Sequence, residues 1–241
     1  MRSIPRSMSL AAFIALSIGS GASVWAADPV TDAMQQAYGP YRVALFRTNS
    51  GSVAESQQAI AQAQATWSQI VSQFGSKPAA PYDRDTKFVA SLSEVTAVYA
   101  KAADEVSKNQ LSNAHETLER ARDVMAEMRQ RNNVIVFSDH MNAYHAQMEH
   151  VLIEGVKLMD QPQGLLQLLA QVGALEYLAS QMGTQAPASL TSNPEFMGSL
   201  KAVQQSVADL KAALLAQDAA ATKAAIGKIK GPYSKMFLKF G

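Results

Sequence analysis

The stretch that decides the fold is NPEFMGSLKAVQQSVADLKAALLAQDAAATKAAIGKIKGPYSKMFLKFG, residues 193–241. Apolar residues stand at Phe196, Leu200, Val203, Val207, Leu210 and Leu214, the three-and-four spacing of one helix face. Asn193-Pro194 opens that helix, with Asn as a cap and Pro in the first turn. Gln217-Asp218 makes a tight corner. Residues 219–230 read as a second helix, which Gly231-Pro232 stops or bends. Tyr233, Phe237 and Phe240 then alternate with lysines to close the chain.

Working outward, most of this pattern occurs once before, 108 residues upstream. Phe88 answers Phe196, Leu92 answers Leu200, and Val95 answers Val203. Phe74-Gly75 answers Met182-Gly183, Gln110 answers Asp218 at the corner, and Leu118 answers Ile226, all without a gap. Upstream of these, residues 31–47 carry Met34, Tyr38, Tyr41 and Leu45 at helical spacing, with Gly39-Pro40 expected to break or kink the helix. Asn49, Ser50 and Ser52 are cap candidates for a helix running to about Phe74, and Gly75 is a candidate C-cap. Residues 76–82 read as a loop, and Asp85 as the start of the third helix. Residues 134–137 read as a packed connector, Ser138 or Asp139 as the cap of the next helix, and residues 184–192 as a loop. Each half thus holds four helices on short or medium links, the pattern of an antiparallel four-helix bundle. The expected fold is all-α, with four-helix units at residues 28–133 and 134–241.

Residues 1–27 are expected to be a signal peptide. Arg2 and Arg6 precede an apolar run at residues 8–18, and Val24-Trp25-Ala26 offers small residues for cleavage. The run is too short for a membrane span, and the expected location is the periplasm. The full chain has 241 residues and a formal charge of +1. Without Arg2 and Arg6 the 21 basic residues fall to 19 against 20 acidic, a net of −1. That balance gives no electrostatic support for nucleic-acid or membrane-surface binding. With no cysteine, the chain forms no disulfide and cannot hold a Cys-x-x-Cys-His haem attachment.

Residues 209–237, DLKAALLAQDAAATKAAIGKIKGPYSKMF, resemble the C-terminal helix pair of cytochrome c′. In that family a Gly-Asp corner leads into a helix ending in Cys-x-x-Cys-His followed by an aromatic. Here Gln217-Asp218 occupies the corner. Lys230, Tyr233 and Ser234 stand where the cysteines and histidine would, with Phe237 at the aromatic position. Tyr41-Arg42 with Phe46 is similar to the family's opening helix. In the first half the corresponding positions are Arg122, Met125 and Ala126. The resemblance implies a bundle fold and a periplasmic setting. Haem ligation does not carry over, because its ligands are missing.

Four histidines offer chemistry: His115, His140, His145 and His150. His145 lies at the edge of an apolar stripe beside Met148 and Glu149, and His115 pairs with Glu119 at i, i+4. Such residues on facing helices would suit Zn or Fe, and Met beside His would suit Cu. The candidate metal set is therefore His115, Glu119, His145, Met148 and Glu149. The ordinary reading makes these a helix-edge histidine, core methionines and surface ion pairs. The tail lysines Lys228, Lys230, Lys235 and Lys239 with Tyr233, Phe237 and Phe240 read either as a docking surface or as a helix end whose cations suit the dipole. Arg122, Arg129 and Arg131 with Asp139 and Glu149 read as a network fixing the halves together. The sequence places no nucleophile–base pair and no phosphate loop. The expectation is a non-enzymatic binding or accessory protein with an envelope protein as partner. The alternatives are a metal-binding protein or a noncovalent haem or electron-transfer protein.

Overall fold

The computed structural model describes residues 28–241; the expected signal peptide lies outside these. Among the described residues all regular structure is helical and no helix is long and apolar enough to cross a membrane. Helix α1 spans Pro29–Ser50, α2 Val53–Phe74, α3 Phe88–Ser107 and α4 Leu111–Arg131. Each packs on the next, and α4 returns to α1. Helix α5 spans Phe137–Met159, α6 Gly164–Thr184, α7 Ala188–Thr191, α8 Pro194–Leu215, α9 Ala219–Ile226 and α10 Lys230–Phe240. Here α5 packs on α6, α6 on α8, α8 on α9 and α10, and these last two on α5. Buried side chains form two clusters, one from Val30 to Met128 and one from Met141 to Met236.

Local chemistry sets the ends. Asp28 caps α1 through the Thr31 amide, and Ser52 with Glu55 forms a capping box on α2. Asn193 accepts from the Glu195 and Phe196 amides, and Asp218 from Ala221. The links before α4 and α9 turn through left-handed residues, Asn109 (φ 60°) and Gln217 (φ 54°). These two stand 108 residues apart.

Burial repeats at the same interval over three helices. Ile60, Trp67 and Phe74 of α2 answer Leu168, Leu175 and Met182 of α6. Phe88, Leu92, Val95, Tyr99, Ala102 and Val106 answer Phe196, Leu200, Val203, Val207, Leu210 and Leu214. Ala121, Met125 and Met128 answer Ile229, Tyr233 and Met236. The first helix of each half departs from this. Met34, Tyr41 and Thr48 answer Met141, Met148 and Gly155 at 107. The extra residue falls in the turn between α5 and α6, where Gln163 takes φ 61°.

Five local expectations are corrected. Helix α5 is capped at Val136 rather than at Ser138 or Asp139: both lie inside its first turn, where the Asp139 carboxylate accepts from the Val136 amide. Helix α1 runs through Gly39-Pro40. The carbonyl deprived of its donor is that of Gln36, on the solvent-exposed face, and Ala37, Tyr38, Tyr41 and Ala44 anchor the axis on both sides. Helix α3 begins at Phe88 rather than Asp85, because residues 82–84 form a short 3₁₀ turn. The loop expected at residues 184–192 contains α7. The last helix breaks at Gly227, before Gly231-Pro232, and both of those residues sit in the first turn of α10, where Pro costs no backbone bond.

Candidate functional site

Between the two clusters lies a cleft of about 500 Å³, its open mouth included. Its walls come from α1 (Leu45, Phe46, Asn49), α4 (His115, Glu119, Arg122), α5 (His145) and α10 (Lys230, Tyr233, Ser234, Phe237, Leu238). The first half and the second half therefore build it together. Helix α1 packs against α10 beneath it.

Its polar groups form a chain. The Arg122 guanidinium can only donate, and its Nη1 lies 3.0 Å from His145 Nδ1. His145 then carries its proton on Nε2, 3.5 Å from Glu149 Oε1. Lys230 reaches the same carboxylate oxygen at 3.2 Å. The His145 hydrogen bond, against a burial that would raise it, and then the Lys230 ammonium hold the Glu149 pKa down at about 2. Burial alone would pull Arg122 down. Tyr41, Asp123 and Glu119 around it more than offset that, so the guanidinium stays cationic. Below this chain the His145 and Tyr233 rings stack at 5.4 Å and 9°. Tyr233 also stacks on Tyr144 and Phe237, and its hydroxyl donates to the Met141 carbonyl. Burial pushes the Tyr233 phenol far above its ordinary value.

His115 is held differently. Its Nδ1 donates to the Leu45 carbonyl at 3.0 Å, with the Thr48 hydroxyl at 3.4 Å. Its Nε2 stands 3.9 Å from Glu119, whose carboxylate is 3.7 Å from Arg122.

Of the five metal candidates, His115, Glu119 and His145 line the cleft. Glu149 reaches it only through His145 and Lys230, and Met148 is wholly buried in the second core. Both His145 nitrogens are engaged. Among the described residues no group of three or more His, Asp or Glu side chains stands ready to hold a metal ion. His140 and His150 are not part of the cleft lining. The arginine network divides. Arg129, 2% exposed, makes a two-pronged pair with Asp139 across the junction of the halves. Arg131 turns instead to Asp85 at 3.0 Å, within the first half. Asp85 as its partner, and Leu45, Asn49 and Leu238 as cleft walls, carried no signal in the sequence, since only the meeting of distant helices gives them that role. Of the tail, Lys239 pairs with Glu195 and Lys230 with Glu149.

Two positions that answer the haem-attachment motif of cytochrome c′ lie in the cores. Tyr233, at the position of the family's second cysteine, is 3% exposed and stacked, and its first-half counterpart Met125 is wholly buried. Both positions are filled by the chain's own side chains.

No family model, no curated protein and no solved structure matches this chain.

Proposed function

We propose that the protein is a non-enzymatic binding or accessory module of the periplasm, exported by a signal peptide at residues 1–27. It is built from two tandem cytochrome c′-like four-helix bundles, at residues 28–133 and 134–241, from which covalent haem has been lost. Its partner is a protein of the envelope. The observation that carries this reading is the cleft to which both halves contribute. Apolar Phe46 and Phe237 line it together with the charged Glu119, Arg122 and Lys230.

The state of those charges favours binding over catalysis. A general base works best with a pKa near the operating pH. Glu149 is held at about 2, and Arg122 is kept cationic. His145 is engaged at both nitrogens. With Lys230, these three groups hold α4, α5 and α10 together.

A metal-binding reading stands second, on one observation. His115 donates Nδ1–H to a backbone carbonyl, which leaves the Nε2 lone pair on the Glu119 side. Ligating histidines are commonly oriented in this way. Arg122 beside Glu119 disfavours a cation there.

A photocrosslinking side chain in place of Phe46, 37% exposed at the cleft mouth, tests the first reading. It is expected to trap a discrete envelope protein, while the same probe at Val89 on α3 traps none. Equal capture at both positions, or none at Phe46, rejects it. Elemental analysis of the natively purified protein separates the second reading: a stoichiometric metal lost in His115→Ala would replace the first.

A further inference from the structure

We propose that the cleft between the halves receives a primary carboxamide, the side chain of an Asn or Gln of the envelope partner. This rests on the partner reading above and adds the chemistry of the group that enters. Hydrogen-bonding capacity left over in the cleft carries it. His115 donates Nδ1–H to the Leu45 carbonyl at 3.0 Å, so its neutral ring turns the Nε2 lone pair toward Glu119. Glu119 stands 3.9 Å from that nitrogen and 3.7 Å from Arg122 Nη1, both beyond hydrogen-bond reach. Two acceptors therefore face each other with no hydrogen between them. A single atom carrying two hydrogens can sit about 3 Å from both. On the donor side, Arg122 spends Nε on Asp123 and Nη1 on His145. Among the described residues its Nη2 has no acceptor.

Charge selects among the groups that carry two such hydrogens. An ammonium there would meet the Arg122 guanidinium. A carboxylate would lie near Glu119 and Asp123, which already answer that guanidinium, and Lys230 is taken by Glu149 at 3.2 Å. A neutral group avoids both repulsions. A primary carboxamide has two donors on one nitrogen, for His115 and Glu119, and an oxygen for Arg122 Nη2. A backbone amide has one N–H and serves only one of the two acceptors. Water can satisfy these groups in the free protein. The carboxamide replaces it and brings an apolar stem, which Leu45, Phe46, Phe237 and Leu238 are placed to cover. The volume, about 500 Å³ with the mouth, suits one inserted side chain rather than a helix.

Benzamide carries the group on an apolar ring. Benzoate and N,N-dimethylbenzamide keep the ring and lose the two N–H donors. With isotope-labelled histidine in the full chain, benzamide should shift the His115 Nε2 resonance saturably. The other two should bind at least about ten-fold more weakly, as expected for losing a hydrogen bond to a charged group. Glu119→Leu should weaken benzamide by a similar factor. Glu119 makes no hydrogen bond among the described residues, so the variant should fold, and circular dichroism confirms it. Benzamide should also suppress photocrosslinking from position 46. Binding of benzoate or N,N-dimethylbenzamide as tight as that of benzamide overturns the proposal. So does a His115 ring protonated on both nitrogens at neutral pH, since its own proton would then bridge to Glu119. Capture from position 46 that is indifferent to benzamide overturns it too and leaves the partner reading standing. Benzamide binding with no capture overturns the partner reading and leaves a site for a free carboxamide.

Discussion

Glu149 stands between two donors, His145 Nε2 and Lys230 Nζ, and that position makes it a reporter on the cleft. Its folded pKa of about 2 lies below the ordinary 4.5. A carboxyl depressed on folding contributes stability that is complete above its unfolded pKa and is lost as pH falls through the folded one. The contribution of Glu149 should therefore fade between about pH 4.5 and pH 2. Its side chain is 30% exposed, so solvent screening reduces the size of the effect. The urea midpoint of the wild type should fall more steeply over that window than that of Glu149→Gln. Asp85 is held low too, so the variant keeps part of the slope. The difference between the two curves isolates Glu149. Parallel curves would mean that the His145–Glu149–Lys230 chain does not form in solution.

Helix corners, at the next scale, carry a cost that the chain has met unevenly. Asn109 and Gln217 both take left-handed backbone at equivalent corners. Asn tolerates that region through its short polar side chain, and Gln does not share the advantage. Gln217→Gly should raise unfolding free energy by about 0.5–1 kcal/mol in urea titration. Asn109→Gly should change it by less, because Asn already suits the turn. A loss of stability in Gln217→Gly would show that the Gln side chain has a tertiary role. The same scale shows what was legible beforehand. Caps at Ser52 and Asn193 and the inward rows of α3 and α8 are local chemistry, and they stand where the spacing put them. Gly39-Pro40 misled because the anchoring of α1 by Tyr38 and Tyr41 is tertiary and overrides a local breaker. The one-residue phase change of α5 escaped because an extra turn residue at Gln163 shifts a whole helix face. The cleft itself needs α1 and α10, nearly two hundred positions apart in the sequence, to meet: Arg42 donates to the Phe237 carbonyl at 3.3 Å. No spacing rule reaches that far.

Across the whole molecule, polar contacts help to join the two cores. Arg129 meets Asp139, Arg122 meets His145, and the Tyr38 hydroxyl donates to Asn142 at 3.1 Å. Phe237 adds an apolar contact, half-buried against both clusters, edge-on to Tyr38 of α1 and stacked on Tyr233 of α10. Two domains melt as one only while their interface exceeds the stability difference between them. Phe237 sits on α10, an element of the second ring, so its truncation weakens that ring and the joint but leaves the first core intact. Trp67 is buried in the first core, and its indole donates to the Leu92 carbonyl. In the chain without residues 1–27 it is the sole tryptophan, so its fluorescence reports the first half alone, while circular dichroism reports all helices. The two probes should coincide for the parent chain. Phe237→Ala should lower the unfolding free energy read by circular dichroism by up to about 3 kcal/mol, less than a fully buried Phe would cost, and leave the Trp67 transition behind at higher urea. Coincident transitions in the variant would show that the polar clasp alone couples the halves. If Trp67 moved first, Phe237 would belong to the first core more than to the joint.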